Sequence, residues 1–398
     1  MIPKIDTTIG ISIYSTKFPR VSGKIKSSSD DFFVSEVLSK KILDTISEND
    51  GFSVYILQKN GIDTTHALRD VEKRFGLVLN ALGLKDSTAV TEQYVQTKTK
   101  SKSLEKIEGK KYSLNRIGFS KKQISKQSML GNKFRIKISN LIGDISQFTE
   151  YKKILNFFGY QRFGSRRPIT HLVGKAIVQK NYQQAIDFLL TYSSKYDTEE
   201  NNYYRRLISE RKSDSEVIKQ LPSSMDIEIA ILKSLAKSDD EITAIRSIPL
   251  QMRRFYVQAY QSYIFNKTLS MAFEYGEDLF LPQENDVCYD MNNKLGKFQN
   301  ESGQKLTIPL VGHSYFTKTR FDYYIKKILE QEEVSPPEFL TKDFQETSLE
   351  GGFRNASIKC DDFHTSDDTV EFQLSRGSYA TIVLREILKP DNPLSCGF

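Results

Sequence analysis

The chain has 398 residues and a formal net charge of +7, with 38% hydrophobic and 11% aromatic residues, so wholesale disorder is excluded and more than one domain is expected. Three distant cysteines without a Cys-x-x-Cys pair and four scattered histidines indicate neither a disulfide framework nor a zinc site. There is no secretory leader pattern, and no apolar run approaches the ~18 residues of a membrane helix. We therefore expect a cytoplasmic protein that binds neither membrane nor metal.

Clear local patterns in the first 140 residues predict two strands and a helix. Residues 52–58 are rich in β-branched and aromatic types, which indicates a strand. After Gly61, apolar residues follow helical spacing as far as Gly76. Candidate N-caps for this helix are Asp63, Thr64 and Thr65. Residues 133–138 alternate between apolar and polar types, which predicts a strand with one apolar face, formed by Phe134, Ile136 and Ile138.

The middle of the chain differs from its ends. Residues 170–275 show helical periodicity with few strand signals. Residues 334–350 contain a Pro-Pro pair and precede a Gly-Gly pair, which is typical of a linker. Beyond it, residues 370–374 and 379–384 are two further strand candidates. The simplest arrangement is a mixed α/β domain built from both chain ends, with a second domain inserted into it.

Positive charge is concentrated in three clusters. The largest spans residues 98–126, which carry ten Lys and Arg against two Glu. Phosphate backbones favour such clusters because each neutralised phosphate releases a condensed counterion, although a solvated surface is the plainer explanation for any one of them. The two smaller clusters are formed by Arg162, Arg166 and Arg167, and by Arg205, Arg206, Arg211 and Lys212.

Three short segments could carry chemistry. Asp86 follows a glycine and a lysine, where an Asp usually caps a helix or forms a turn. Phe134 would normally be a core residue, but a Phe beside basic residues can also stack on an exposed base. Residues 156–164 combine four aromatic residues, two glycines and an arginine, which suits either a packed hinge or a nucleic-acid contact.

Several common cofactor and nucleophile motifs are absent from the sequence. There is no GxxxxGK[ST] phosphate loop, no GxGxxG after a strand and no GxSxG. These absences favour an enzyme that uses only its own side chains, or a protein without catalytic activity.

Together the segments resemble the TruD family of tRNA pseudouridine synthases, whose motifs occur here in the family's order. Residues 259–266 (AYQSYIFN) look more like the archaeal and eukaryotic branch than the bacterial one. The matching segments are 31–36 (DFFVSE), 59–64 (KNGIDT), 83–93 (GLKDSTAVTEQ), 131–134 (GNKF), 156–164 (NFFGYQRFG) and 376–386 (RGSYATIVLRE).

The resemblance implies an α+β fold: a mixed-sheet pseudouridine synthase domain over residues 1–158 and 344–398, with a largely helical TRUD domain inserted over 159–343. It implies isomerisation of a tRNA uridine, expected to be uridine 13, without a cofactor. Asp86 would be the catalytic aspartate, Phe134 would lie against the target base, and Asn132 would orient the aspartate or the nucleotide. Other residues implied for the pocket are Lys26, Phe32 and Glu36 as its lining and Lys85 and Gln93 as its support.

Three positions depart from the family's pattern. Ser87 replaces a basic residue, and Lys133 replaces an arginine, which keeps the charge but loses the bidentate fork. The proline that usually follows Arg354 is Asn355. Since the implied catalytic residue, Asp86, is present, we expect these departures to affect RNA affinity or the choice of the modified uridine. A non-catalytic tRNA-binding or chaperone protein with the same fold is the alternative, whereas the missing glycine-rich loop disfavours a methyltransferase.

Overall fold

The computed structural model describes all residues except 49, 86, 101–103, 211–214 and 317. Asp86 and three of the clustered basic residues, Lys102, Arg211 and Lys212, therefore lie outside the described residues. The part of the chain that is described contains both helices and mixed sheets, in agreement with the expected α+β class.

The described residues form seventeen strands and twelve α-helices. The strands are β1 Ser22–Lys24, β2 Phe32–Leu38, β3 Phe52–Lys59, β4 Leu79–Ala81, β5 Val90–Thr97, β6 Lys106–Glu108, β7 Tyr112–Ser120, β8 Met129–Lys137, β9 Ser139–Ile142, β10 Lys153–Leu155, β11 Val287–Tyr289, β12 Leu295–Lys297, β13 Lys305–Leu310, β14 Gly352–Asn355, β15 Ser357–Lys359, β16 Asp361–Ser366 and β17 Thr369–Ser375. The helices are α1 Lys4–Thr8, α2 Lys40–Leu43, α3 Thr64–Phe75, α4 Thr170–Val178, α5 Tyr182–Thr191, α6 Glu199–Glu210, α7 Ser215–Gln220, α8 Asp226–Ser238, α9 Glu241–Arg246, α10 Leu250–Glu274, α11 Asp322–Gln331 and α12 Ala380–Leu388.

The largest sheet of the described residues has nine strands in the order β16-β17-β8-β2-β5-β3-β7-β6, with β4 beside β5. Strands β2 and β5 are parallel and the other pairs are antiparallel. Along β2, every second residue is buried, as expected for a strand with one face on a core. The C-terminal strand β17 pairs with β8, so both chain ends contribute to this sheet.

Four local predictions are confirmed. The predicted strands correspond to β3, β8 and β17, and the predicted helix to α3. Asp63 caps α3 by accepting a hydrogen bond from the His66 N–H at 3.0 Å. Gly76 ends the helix with φ of 63°, a left-handed conformation that glycine adopts without a steric penalty. Phe134, Ile136 and Ile138 are all buried.

Two predictions of local structure are wrong. Residues 379–384 were expected to form a strand, but α12 begins at Ala380, and all nine of its residues are buried. Burial on every side removes the periodicity that distinguishes a helix, which leaves a β-branched run that is typical of a strand. Residues 334–350 are not a plain linker, because they contain two 3-10 turns that bury Phe339 and Phe344.

The helical region packs around α10, a 25-residue helix in contact with α4. Gly174 on α4 allows the backbones of α4 and α10 to approach closely, since a Cβ added there would lie 2.0 Å from the Tyr256 carbonyl oxygen. A smaller sheet in the order β12-β11-β13-β14 follows. Among the described residues, no helix has both the length and the apolar character needed to cross a membrane.

Candidate active site

A cavity of about 210 Å³, here called the candidate active site, lies where the central strands meet the start of α12. Five of the residues singled out in the sequence contribute to its walls: Lys26, Phe32, Lys85, Asn132 and Phe134. The other wall residues that matter for its chemistry are Thr88, Thr91, Gln161, Tyr379 and Thr381.

Strand register brings the predicted residues together. Val34 on β2 is opposite Phe134 on β8, and Glu36 is opposite Asn132. Because side chains alternate along a strand, residues two apart on β2 and β8 project from the same face. The antiparallel pairing of these strands therefore assembles one side of the site from two segments that lie a hundred residues apart in the chain.

The Phe134 ring belongs to an aromatic group. It makes an edge-to-face contact with Phe32, with ring centroids 6.3 Å apart, and a tilted contact with Phe372 at 5.4 Å. The Lys26 ammonium lies 4.9 Å from the Phe32 ring centroid. Phe134 is a core residue and also part of the cavity wall, and its stacking on a target base stays a prediction.

Lys85 connects two polar side chains at the wall of the site. Its ammonium donates a hydrogen bond to Asn132 Oδ1 at 2.5 Å and lies 3.5 Å from Glu36 Oε1. The Tyr94 N–H donates to Glu36 Oε2 at 2.9 Å. Burial raises the pKa of Glu36, and the Lys85 charge and the Tyr94 hydrogen bond only partly oppose that effect. Glu36, which was expected to line the pocket, has a fully buried side chain and contacts the wall residue Lys85.

The loop before Asp86 is fixed by side chains from α3 and β5. Thr64 Oγ1 accepts a hydrogen bond from the Lys85 N–H at 2.9 Å and donates to Gln93 Oε1 at 2.8 Å. The Gln93 side-chain amide donates to the Gly83 carbonyl at 2.9 Å. Gln93 therefore has the supporting position expected of it, and Thr64, expected only as a possible helix cap, helps to hold the loop.

Asp86, the predicted catalytic residue, lies outside the described residues. Its neighbours in the chain are described on both sides, and Lys85 and Thr88 belong to the walls of the candidate active site. Ala89 is buried immediately before β5 begins.

The opposite wall comes from the segment 156–164 and the start of α12. The Thr381 hydroxyl donates to Gln161 Oε1 at 3.2 Å. Gly159 is required beside them, because a Cβ there would come within 2.9 Å of Thr381 Oγ1 and 3.0 Å of the Tyr379 ring. Most of the aromatic residues in this segment are buried, so it is a packed junction that also supplies Gln161 to the site.

Sequence reasoning missed several wall residues, although the matched motifs contained them. Gln161, Tyr379 and Thr381 belong to motifs that were noted for order rather than for chemistry. Thr91 Oγ1 is buried and has no hydrogen-bond partner among the described residues. The described residues contain no group of three or more His, Cys, Asp or Glu side chains that could hold a metal ion.

The chain is similar along its length to known proteins. The sequence model for "tRNA pseudouridine synthase D (TruD)" matches residues 8–387. Curated relatives described as "Probable tRNA pseudouridine synthase D" include a Pyrobaculum islandicum protein, which is 31% identical over 100% of this chain and 99% of its own length. Another from Archaeoglobus fulgidus is 31% identical over 97% of this chain and 100% of its own length.

A solved structure is also similar. The crystal structure of a TruD protein from Methanosarcina mazei superimposes with a TM-score of 0.78 at 29% identity, covering 99% of each chain. Sequence motifs, fold and whole-length similarity all agree. The chain belongs to the tRNA pseudouridine synthase D (TruD) family.

Proposed function

We propose that the protein converts a specific tRNA uridine, uridine 13, to pseudouridine, and that Asp86 is the catalytic carboxylate. One observation carries the proposal. A cavity with an aromatic wall borders Lys85, the residue before Asp86, and Thr64 and Gln93 hold residues 83–85 in place. Relatives that align over the whole chain bear the corresponding name.

The reaction rearranges one nucleotide without changing its composition. The bond between N1 of uracil and C1′ of ribose breaks, the freed base turns, and C5 becomes bonded to C1′. The hydrogen on C5 leaves as a proton, and N1 gains one. A carboxylate near C1′ and C5 can attack the sugar or remove the proton, so Asp86 is assigned one or both of these roles. No cofactor is required by this balance.

The remaining residues bind and orient the nucleotide. The target base must leave the RNA stack, which costs a few kcal/mol that phosphate contacts offset. Phe134 and Phe32 provide an apolar wall for the base, and Thr91 also borders the cavity. Lys85 and Asn132 position polar atoms beside the Asp86 loop.

The proposal includes the organisation of the chain and its location. The synthase domain comprises residues 1–158 and 344–398, and the TRUD domain comprises 159–343. In support, β17 from the C-terminal part completes the sheet formed by the N-terminal part. We place the enzyme in the cytoplasm with tRNA as its partner.

The test compares wild type with Asp86→Ala on unmodified tRNA transcripts. Pseudouridine is mapped by carbodiimide-dependent reverse-transcription stops, and tRNA affinity is measured in parallel. We expect wild type to give a stop at position 13, and Asp86→Ala to give none while binding tRNA nearly as tightly. If wild type binds tRNA in a salt-sensitive way but modifies no transcript, the protein is a non-catalytic tRNA-binding or chaperone protein.

A further inference from the structure

A second cavity, larger than the candidate active site, lies beside β13 and β14. Its volume is about 440 Å³, within the range of ~300–1,000 Å³ typical of small-ligand pockets. Its walls include the apolar residues Val287, Leu310 and Phe353 and the exposed residues Phe316 and Lys318. The function proposed above leaves this cavity without a role.

Phe316 gives the second cavity an aromatic surface that faces solvent. Phe316 is 70% exposed, so its ring is accessible to a ligand in solution. The Lys318 ammonium lies 5.2 Å from the ring centroid, and Lys297 also contributes to the walls. Glu350 is an acidic residue in the same walls, so the two lysines outnumber it. An aromatic face with an excess of cations suits a nucleotide, since the base can stack and the phosphate is attracted.

One arginine links the second cavity to the candidate active site. Phe353 lines the second cavity, and the next residue is Arg354. Arg354 Nη2 donates to the Gly377 carbonyl at 3.0 Å, and Ser378, the residue after Gly377, lines the candidate active site. Consecutive Cα atoms are ~3.8 Å apart, so a single side chain and two peptide steps separate the two sites.

Positive charge lies along this link. The guanidinium carbons of Arg354 and Arg162 lie 4.0 and 5.4 Å from the same Phe158 ring centroid. Neither arginine forms an ion pair with a carboxylate among the described residues; the neighbours that bond to them are carbonyl, amide and hydroxyl oxygens. Burial, with a further contribution from Arg162, lowers the pKa of Arg354 to about 10, which still leaves it charged near neutral pH. The region between the cavities therefore carries positive charge that no described carboxylate neutralises.

We propose that the second cavity binds another unstacked base of the RNA strand whose uridine enters the candidate active site, with the connecting phosphates near Arg162 and Arg354. This inference rests on the proposed function and extends it to substrate recognition. A separate small ligand would not need the charged link, whereas a continuous strand must cross it. The occupant is thus an unpaired nucleotide close to the target.

The test removes the exposed ring and follows single bases of a full-length substrate RNA. Phe316→Ala is compared with Tyr203→Ala, whose side chain is 53% exposed and lines neither cavity. RNA transcripts carry 2-aminopurine at one position at a time within a few nucleotides of the target. We expect wild type to quench one such position, and Phe316→Ala to lose that quenching and to bind RNA at least about fivefold more weakly.

Phe316→Tyr serves as the conservative variant, because it keeps a ring in the same place. It should restore both quenching and affinity, whereas Tyr203→Ala should behave like wild type. If Phe316→Ala leaves affinity and every 2-aminopurine signal unchanged, the cavity belongs to another ligand and the inference is wrong.

The test of the second base site can fail independently of the test of the proposed function. Wild type that forms pseudouridine while Phe316→Ala shows no binding defect would overturn only the second base site. Wild type that forms no pseudouridine would overturn the proposed function, whatever the fluorescence shows.

Discussion

At the residue scale, Lys85 affects both the stability of the protein and the arrangement of the candidate active site. Its ammonium lies between Asn132 and a carboxylate, Glu36, whose side chain has no solvent exposure. A buried ion pair stabilises little over an apolar pair, but removing one partner leaves the other charge unpaired. Lys85 is therefore needed for stability as well as for the arrangement of the site.

Replacing Lys85 with Met should destabilise the protein by about 3–5 kcal/mol near pH 8, because the Glu36 carboxylate would be buried without its cation. The pKa of Glu36 already lies above its ordinary value of 4.5, and losing Lys85 raises it further. A raised carboxyl pKa makes the folded state less stable as pH rises, so the loss should be smaller near pH 5. Chemical denaturation of wild type and variant at both pH values measures the loss in free energy of unfolding.

Adding Glu36→Gln to Lys85→Met gives the control. The double variant has no carboxylate at position 36, so it should recover part of the stability and lose the difference between the two pH values. An equal loss in the single variant at both pH values would contradict the role of charge and indicate lost packing instead.

Elements are positioned by contacts that are distant in sequence. Helix α12 follows a turn at Gly377, where φ is 84°, and packs with every residue buried. Helix α10 crosses α4 at Gly174, close enough that no side chain fits between them. Close packing of helices allows little adjustment when the contact atom is part of the backbone.

Gly174→Ala tests the crossing of α4 and α10. Alanine is favoured over glycine in a helix by about 1 kcal/mol, yet its Cβ would meet the Tyr256 carbonyl. We expect a net destabilisation of about 1–3 kcal/mol in denaturant unfolding. Gly296→Ala, in the exposed strand β12, controls for the added methyl group alone, since nothing lies within 4 Å of an added Cβ there. A Gly174→Ala variant as stable as wild type would show that the helices can separate without cost.

At the scale of the whole molecule, the two ends of the chain are joined by buried charges. Arg385 Nε donates to Asp6 Oδ2 at 2.6 Å and Nη1 donates to Glu386 Oε1 at 3.1 Å. The Tyr160 hydroxyl donates to the other Asp6 oxygen at 2.7 Å. The first helix is thus attached to the last one, and this places α12 where Tyr379 reaches the candidate active site.

Positive charge near the candidate active site should set the salt dependence of tRNA binding. Arg376 Nη1 donates to the Lys126 carbonyl at 3.0 Å, and both side chains are exposed beside the turn at Gly377. In Lys126→Gln/Arg376→Gln, the slope of log K against log salt should become shallower by about 1–2, because each lost phosphate contact accounts for ~0.7–0.9. Affinity titrations over a range of salt concentrations give the slope.

Lys233→Gln/Lys237→Gln removes the same charge from α8 and should leave the slope near that of wild type. Equal slopes for both double variants would show that the basic residues beside the site do not contact phosphate.

Local patterns were sufficient to predict β3, β8, β17 and α3, because periodicity and caps depend only on nearby residues. The motifs in their order were sufficient to identify the family. They also indicated that Phe32, Lys85, Asn132 and Phe134 belong to one pocket. Patterns failed for α12, whose complete burial leaves no polar face, and for residues 334–350, where long-range packing buries Phe339 and Phe344.

Other features arise only when distant segments meet. Glu36 meets Asn132 because β2 and β8 pair in one particular register, and Lys85 from the segment before Asp86 contacts both side chains. Tyr379 and Phe32 line one cavity although they lie far apart in the chain, and the buried Arg385–Asp6 pair attaches α12 to the N-terminal segment. The second cavity likewise combines Lys297, Phe316 and Phe353, which no local pattern relates. Sequence spacing determines which side chains share a strand or helix face, whereas burial and long-range pairing determine which faces meet.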